Sequence, residues 1–299
     1  MQEWLEFFAV WTLVHSLRLL PRGGARAVGA GLGRLVWRLL PRLRRVGMRN
    51  LQLAYPEWSE AQREATLHAC YLHLGRHLAE FCQMSRYTRK NTESFIRYEG
   101  LAHYLAAQAR GRGVLVVTAH LGAWELSSYW HSLMGHPMGI LTRKLDNQRI
   151  DRFVNGIRSQ HGNRVLYKDD FARGLIGAMR RGETVGILMD TNMTPPQGVF
   201  VPYFGHQACT GSGLARIAQK TGAAVLPGFL LWEPKEQRYV LHFGEEIELA
   251  ATGDDEADAV TNTARFTAAV EQYVRHAPSQ WLWIHRRWKT RPAGEAPLY

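Results

Sequence analysis

Short apolar runs alternate with stretches of helical spacing from about residue 113 onward. Each run is rich in aliphatic residues and bounded by glycine or polar residues, as buried strands are. The predicted strands are 114–119, 139–143, 164–167, 184–189, 223–231 and 238–243, and the predicted helices are 122–134, 148–160, 171–181, 211–221 and 257–276. This alternation implies right-handed crossovers, so we predict an α/β fold whose central, mostly parallel or mixed β-sheet is flanked by helices. The last strand pair is expected to add antiparallel edge strands.

One further helix is predicted before the alternating region. Ser59 and Gln62 have the spacing of a capping box, and apolar residues follow at helical period from Leu67 to Phe81. His73 and His77 lie four residues apart on this helix, a spacing that suits a metal. No third ligand accompanies them in a known pattern, so we expect a structural or lipid-facing role and no metal site.

The first 50 residues have a different pattern. Residues 4–20 are apolar and aromatic, but Glu6, His15 and Arg18 interrupt them. A membrane-spanning helix takes about 20 mostly apolar residues, so this segment is marginal. The acidic start and the lack of a small-residue cleavage site argue against a signal peptide.

A basic stripe follows that apolar segment. Arginines recur at helical spacing at positions 34, 38, 42, 45 and 49, which predicts a basic helix face beside a bilayer. We therefore predict an N-terminal membrane-associating helical segment at 1–50, acting as an anchor, and an α/β domain at 51–299. A core helix with a solvated basic face is the alternative.

Charge and cysteine content narrow the classes of partner. The formal net charge is +11 and the pI is near 9.9, which indicates an acidic partner: nucleic acid, anionic lipid, a phosphorylated substrate or an acidic carrier protein. Cys70, Cys82 and Cys209 are odd in number and not motif-spaced, so they form neither a disulfide framework nor a zinc site. They fit a reducing compartment.

Residues 278–291 interleave tryptophans with cations. This pattern suits a membrane–water interface, and it also suits single-stranded nucleic acid. The apolar N-terminal segment favours the membrane, so we expect no nucleic-acid partner.

The candidate chemistry lies where the first strand of the alternating region ends. His120 follows the apolar run 114–119, and Glu125 falls in the first turn of the next predicted helix. Open α/β sheets place their active sites at this strand end. Glu125 is predicted to hold one imidazole nitrogen, which leaves the other as a general base toward a hydroxyl. A solvated or core histidine is the alternative, because a histidine and an acid at this spacing also occur by chance.

Other polar residues follow neighbouring strands. Asp190 ends the run 184–189, so it shares the edge with His120, and Arg143 and Arg158 flank the helix that follows the second strand of this region. Arginine at such an edge can hold a phosphate or carboxylate bidentately. Residues 191–211 are predicted to form one long loop rich in proline, glycine and aromatic residues, and loops of that length are usually functional.

Several motifs together resemble one known family. They are Ala119–Glu125, Thr142–Asn147 with Arg158, Leu188–Asp190, Gly198–Gly205 with Ala208 and Thr210, and Gln280–Arg287. They resemble the bacterial lipid A late acyltransferases, the lauroyl/myristoyl transferase family within the lysophospholipid acyltransferase superfamily, and the resemblance covers nearly the whole chain.

This resemblance implies a membrane-associated O-acyltransferase at the cytoplasmic face of the inner membrane. It implies transfer of a fatty acyl group from acyl-carrier protein to a hydroxyl of a phosphorylated lipid A precursor, with no cofactor. The implied catalytic residues are His120, Glu125, Arg158 and Asp190. The matching motifs place Arg143, Asn147 and Thr210 among the predicted substrate-binding residues. The aromatic and aliphatic loop beside the catalytic edge predicts an apolar wall for the acyl chain, with Trp124, Phe200 and Phe204 as its expected residues; a loop packed on its own core is the alternative.

Two other functions stay open. The first is acyl transfer to another lipid, such as glycerol phosphate, ornithine lipid or another glycolipid. The second is a non-catalytic protein that binds a membrane surface or nucleic acid. A binding module has no need of a base and a carboxylate at a strand edge, so His120 with Glu125, Asp190 and Arg158 favours the enzyme.

Overall fold

A seven-stranded sheet forms the centre of the protein. The computed structural model describes residues 1–167 and 171–299. The strands of the described residues are β1 (Ile96–Glu99), β2 (Val114–Thr118), β3 (Met138–Thr142), β4 (Arg164–Tyr167), β5 (Thr184–Leu188), β6 (Gly198–Tyr203), β7 (His206–Gly211), β8 (Ala224–Glu233) and β9 (Arg238–Phe243). The large sheet has the order β1-β9-β8-β2-β5-β3-β4, and β6 and β7 form a separate hairpin.

The neighbouring strands of the large sheet are parallel except for β8 and β9, which are antiparallel. β2 lies between β5 and β8, with Val114 paired to both Thr184 and Ala224. Side chains 114–117 of β2 are all buried, because helices cover both faces of the sheet. The end of β2 is therefore a rigid, central position for a functional residue.

Helices cover the sheet on both faces. They are α1 (Gln2–Leu19), α2 (Arg22–Leu39), α3 (Pro41–Ala54), α4 (Glu60–Gln83), α5 (Arg89–Thr92), α6 (Leu101–Ala109), α7 (Trp124–Leu133), α8 (Gln148–Arg158), α9 (Phe171–Arg180), α10 (Gly213–Thr221) and α11 (Asp255–His276). The capping box predicted at Ser59 and Gln62 begins α4.

The predicted α/β alternation is confirmed, and two of its details are wrong. The last strand pair is antiparallel as predicted, but β9 is not an edge strand, because β1 pairs with its other side. Residues 191–211 are not one long loop, because 198–211 form the β6–β7 hairpin. Its turn has two residues with positive φ, Phe204 (50°) and Gly205 (73°), as tight hairpins need.

The N-terminal helices pack onto the rest of the protein mainly through a close crossing of α2 and α4. A Cβ at Gly29 would lie 2.2 Å from the carbonyl oxygen of Gly75, so the two backbones are in direct contact. Glu80 on α4 is fully buried, and it accepts hydrogen bonds from Arg22 and Arg26 of α2. The crossing therefore combines close backbone packing with a buried ion pair.

The predicted basic stripe does not lie on one helix. Leu40 separates α2 from α3, and Pro41 begins α3, so the stripe arginines are divided between two helices. Within the residues described, no helix has both the length and the apolar character that crossing a bilayer requires.

The tryptophans of the segment 278–291 are buried, contrary to the membrane-interface prediction. Trp281, Trp283 and Trp288 are at most 1% exposed, and Arg287 is fully buried beside them. The rings pack against the β6–β7 hairpin, where Tyr203 contacts both Trp281 and Trp288. The pattern of tryptophans and cations therefore marks a part of the core.

Candidate active site

The turn after β2 is fixed from three sides. Its residue Gly122 has a φ of +65°, and a Cβ there would lie 2.1 Å from the carbonyl oxygen of Leu230, so glycine is required. The amide of Ala123 donates to that carbonyl at 2.8 Å, and the amide of Gly122 donates to Gln280 at 3.1 Å. The buried His73 of α4 places its Nε2 2.9 Å from the carbonyl oxygen of Gly122.

His120 pairs with Asp190 across this turn. The Nδ1 of His120 lies 2.9 Å from Oδ1 of Asp190, and the backbone amide of His120 donates to Oδ2 at 2.9 Å. The indole of Trp281 also donates to Oδ2, at 2.8 Å. Asp190 is nearly fully buried, whereas the His120 side chain is 24% exposed. The aspartate thus fixes the imidazole, which reaches the protein surface.

Asp190 is a carboxylate in spite of its burial. Burial by itself raises the pKa of Asp190, but the adjacent His120 and the hydrogen bonds from His120 and Trp281 lower that pKa to about 2. An ionised aspartate on Nδ1 stabilises the protonated form of the imidazole. The sequence argument gave this role to Glu125, and the structure gives the Nδ1 contact to Asp190.

Glu125 instead forms a two-pronged ion pair with Arg158. Nε of Arg158 donates to Oε2 of Glu125 at 2.9 Å, and Nη2 donates to Oε1 at 2.5 Å. Burial lowers the pKa of Arg158, but the hydrogen bonds and charge of Glu125 outweigh it and raise that pKa above its usual value. The pair connects the first turn of α7 to the last turn of α8.

Trp124 lies beside His120 and beside the Glu125–Arg158 ion pair. Its ring lies 5.4 Å from the ring of His120 and 3.8 Å from the ring of His77. Trp124 also lines a small cleft of about 70 Å³ together with Glu125 and Arg158. The structure therefore brings the four predicted catalytic residues and Trp124 to one edge of the sheet.

A larger cavity of about 450 Å³ opens beside the strand that leads to Asp190. Apolar side chains from the strand end, the following loop and α10 form most of its wall: Leu141, Ile187, Leu188, Met189, Met193, Pro196 and Leu214. Ser212 and Arg216 add polar groups. Cavities of about 300–1,000 Å³ with this lining are typical of small-molecule sites.

The remaining predicted substrate-binding residues have other contacts. Asn147 caps α8 and ties it to α1 by donating to Glu3 and Glu6. Arg143 is 72% exposed and pairs with Asp146 at 3.5 Å. Both therefore lie on surface or connecting elements, and the structure gives neither a contact with His120.

The three predicted residues of the hairpin lie in or near the core. Phe204 is 4% exposed and packs on Tyr55, and Thr210 is fully buried and accepts a hydrogen bond from Arg287. Phe200 is half-buried opposite Cys209. Phe204 and Thr210 thus have structural contacts that explain their presence without a ligand.

Sequence reasoning missed two residues that shape the site. Trp281 reaches Asp190 from a segment about 90 positions away, and His73 holds the turn from α4. The Trp-rich motif and the histidine pair were both visible in the sequence. Their positions give no sign of which strand end they contact, because those contacts are long-range.

This geometry is that of an enzyme that takes a proton from a hydroxyl or a similar group. A histidine oriented by a buried carboxylate, at the carboxyl edge of a parallel sheet, has the arrangement expected of a general base. An ion pair and a mostly apolar cavity lie beside this histidine. The site thus defines a class of α/β transferase or hydrolase.

Comparisons with known proteins specify the class. The model of the bacterial lipid A biosynthesis acyltransferase family matches residues 1–290. The lipid A biosynthesis lauroyltransferase of Escherichia coli K12 is 30% identical over 297 residues, which cover 99% of this chain and 94% of that protein. The palmitoleoyltransferase of the same organism is 29% identical over the same shares, and its myristoyltransferase is 26% identical over 98% and 91%. The chain belongs to the bacterial lipid A biosynthesis acyltransferase family, and it is an acyltransferase.

Proposed function

We propose that this protein transfers a fatty acyl group from an acyl-carrier-protein thioester to a hydroxyl of a phosphorylated lipid A precursor, at the cytoplasmic face of the inner membrane. The His120–Asp190 pair is the observation that carries the proposal. Family membership supports the lipid A acceptor, and the net charge of +11 suits an acidic carrier protein, a phosphorylated lipid and an anionic bilayer.

In the proposed reaction, Nε2 of His120 takes the proton of the acceptor hydroxyl, since Nδ1 faces Asp190. The oxygen attacks the thioester carbonyl, and the tetrahedral intermediate collapses to an ester and a thiolate. The imidazolium gives its proton to the departing thiolate, which leaves as the thiol, and the neutral imidazole is regenerated. Asp190 stabilises the imidazolium throughout, because its charge is fixed 2.9 Å from Nδ1.

The charge that develops on the carbonyl oxygen needs donors. We propose the first-turn amides of α7, whose N-cap residue Ala123 provides no capping side chain. Arg158 contributes positive charge from the neighbouring cleft, and Glu125 holds the guanidinium in place. Glu125 is in this proposal a positioning residue for Arg158.

The acyl chain is proposed to occupy the 450 Å³ cavity. The 70 Å³ cleft beside Trp124 is too small for a fatty chain, whereas the larger cavity has an apolar wall and is lined by Met189 and Thr191, the sequence neighbours of Asp190. Each buried methylene contributes about 0.8 kcal/mol, so the length of this cavity would select the chain.

The membrane contact is proposed to lie on α1 and α2. Large apolar side chains are exposed there, among them Trp4 (45%), Phe8 (54%) and Trp11 (42%). Aromatic side chains of this kind suit the headgroup region of a bilayer.

The experiment combines purified enzyme, an acyl-carrier-protein donor and a series of acceptors. Mass spectrometry should show one added acyl group on a phosphorylated, partly acylated lipid A precursor, and none on glycerol phosphate or ornithine lipid. His120→Ala should lower the rate by a factor of about 10² to 10⁴. Product on another acceptor alone would overturn the lipid A assignment and leave acyl transfer standing.

A further inference from the structure

A groove between α2, α4 and the end of β8 carries three guanidinium groups. Its lining includes Arg26 and Arg34 of α2, Arg76 of α4 and Trp232 of β8, and its volume is about 550 Å³. No residue of the catalytic site lines this groove. Side chains from three separate elements converge here, so the tertiary fold creates the groove.

The positive charge of the groove is not balanced by the protein. Arg26 shares the buried carboxylate of Glu80 with Arg22, so two cations meet one anion. The side chains of Arg34 and Arg76 form no ion pair and no hydrogen bond with any residue in 1–167 or 171–299. Burial and the neighbouring charges of Arg26 and Arg34 lower the pKa of Arg76. Holding these cations together costs free energy that a bound anion would recover.

The neighbouring groups favour a phosphate on a larger molecule. Guanidinium groups bind phosphate oxygens in pairs of parallel hydrogen bonds. The Arg26 guanidinium lies 4.4 Å from the centre of the Trp232 ring, which keeps it fixed at the groove. No atom lies within 4 Å of a Cβ built on Gly23, so the groove is open at the beginning of α2. A single small ion would leave most of this volume empty.

The groove also adjoins the turn after β2. The amide of Trp232 donates to the side chain of Gln280 at 2.9 Å, and the backbone of Gln280 accepts from Gly122. On α4, Arg76 lies between His73 and His77 in the sequence, and these two histidines contact Gly122 and Trp124. A headgroup held in the groove would therefore be separated from His120 by helix α4.

We infer that the groove formed by Arg26, Arg34 and Arg76 is a binding site for a phosphate group of a lipid headgroup. The inference concerns binding and does not depend on acyl transfer. The phosphate could belong to a bilayer phospholipid or to a glycolipid acceptor, since both present the same chemistry to the arginines.

The test uses the full-length protein with Arg34→Gln and Arg76→Gln combined. These two side chains have no partner among the described residues to lose, and circular dichroism checks the fold. The matched control combines Arg112→Gln with Arg180→Gln, which removes the same charge from two exposed arginines outside the groove. Binding is measured on phosphatidylcholine vesicles with and without phosphatidic acid, on vesicles carrying a lipid A precursor, and with soluble glycerol phosphate by calorimetry.

The groove variant should bind phosphatidic-acid vesicles about 25-fold more weakly than the unmodified protein, at about fivefold for each arginine. The control variant should lose less than this, and binding to pure phosphatidylcholine should not change. A loss confined to precursor vesicles identifies the acceptor as the source, and a loss on both kinds of vesicle includes the phospholipid. Equal losses in the groove and control variants, or a loss with glycerol phosphate alone, would overturn the inference.

Discussion

Replacing Asp190 by asparagine should abolish catalysis through the imidazole tautomer. The substitution keeps the size of the side chain and the acceptor for the amide of His120 and the indole of Trp281. If the amide oxygen takes the place of Oδ2, the NH₂ group faces Nδ1 of His120. Nδ1 must then accept a hydrogen bond, so the proton moves to Nε2 and the base is blocked.

The expected losses of kcat and of folding stability follow from the buried charge of Asp190. In a serine protease triad the corresponding change lowers kcat about 10⁴-fold, and we expect a loss of similar order here. The pKa of Asp190 falls from its usual 3.8 to about 2, which corresponds to roughly 2–3 kcal/mol of folding stability at neutral pH. A lowered carboxyl pKa contributes stability above pH 3.8 that is lost as the pH falls toward 2.

Two measurements test this reasoning. The first is kcat/KM for acyl transfer, and the second is the free energy of unfolding of both proteins between pH 7 and pH 2. The difference in stability should shrink as the pH falls from about 4 to 2. Asp258→Asn is the matched control, because Asp258 of α11 is also buried and accepts hydrogen bonds from the backbone and side chain of Thr252. Activity of Asp190→Asn within tenfold of the unmodified enzyme would refute the assigned role.

Four further predictions concern the surroundings of the pair. Gly122→Ala should lower both stability and activity, by roughly 1–3 kcal/mol in unfolding experiments, because a positive φ and the Leu230 carbonyl leave no room for the methyl group; an unchanged melting temperature would contradict this. Trp281→Phe should raise the pKa of Asp190 and cost about 1–3 kcal/mol, read from the acid limb of the stability profile. Burial lowers the pKa of His73 to about 4, so the unfolded chain protonates His73 at a higher pH than the folded protein does. The free energy of unfolding therefore falls as the pH drops from 6.5 to 4, and His73→Gln should make this fall less steep in denaturation experiments. Met193→Ala should shift donor preference toward longer acyl chains, by roughly fourfold for each methylene accommodated, in competition assays with mixed donors.

The strands, and the placement of polar residues at their ends, were predictable because both depend on the local pattern of apolar and polar residues. The run before His120 and the run before Asp190 become adjacent strands β2 and β5, so both side chains reach the same edge. The sequence argument could not decide which carboxylate holds His120. Glu125 is close in sequence, but its position on α7 directs it to Arg158, and the contact from Asp190 depends on strand pairing.

The remaining errors have a common physical origin. Tryptophans that alternate with arginines are typical of a membrane–water interface. A buried arginine can instead donate hydrogen bonds to backbone carbonyls, as Arg287 does to Cys209. The 191–211 region lacks a strong alternation, and a hairpin forms there because its inner face packs on α11 and the tryptophans. Such long-range burial leaves no local period in the sequence.

The contact between Trp281 and Asp190 has a consequence for biosynthesis. The nine strands of the described residues are all synthesised before residue 281, and until then the aspartate lacks its indole donor and the turn lacks its bond to Gln280. The catalytic geometry is therefore completed late, when the 278–291 segment inserts between the hairpin and the turn. A chain stopped before that segment would retain the sequence of the sheet and of helices α1–α11, and its Asp190 would have to hold His120 without the hydrogen bond from the Trp281 indole.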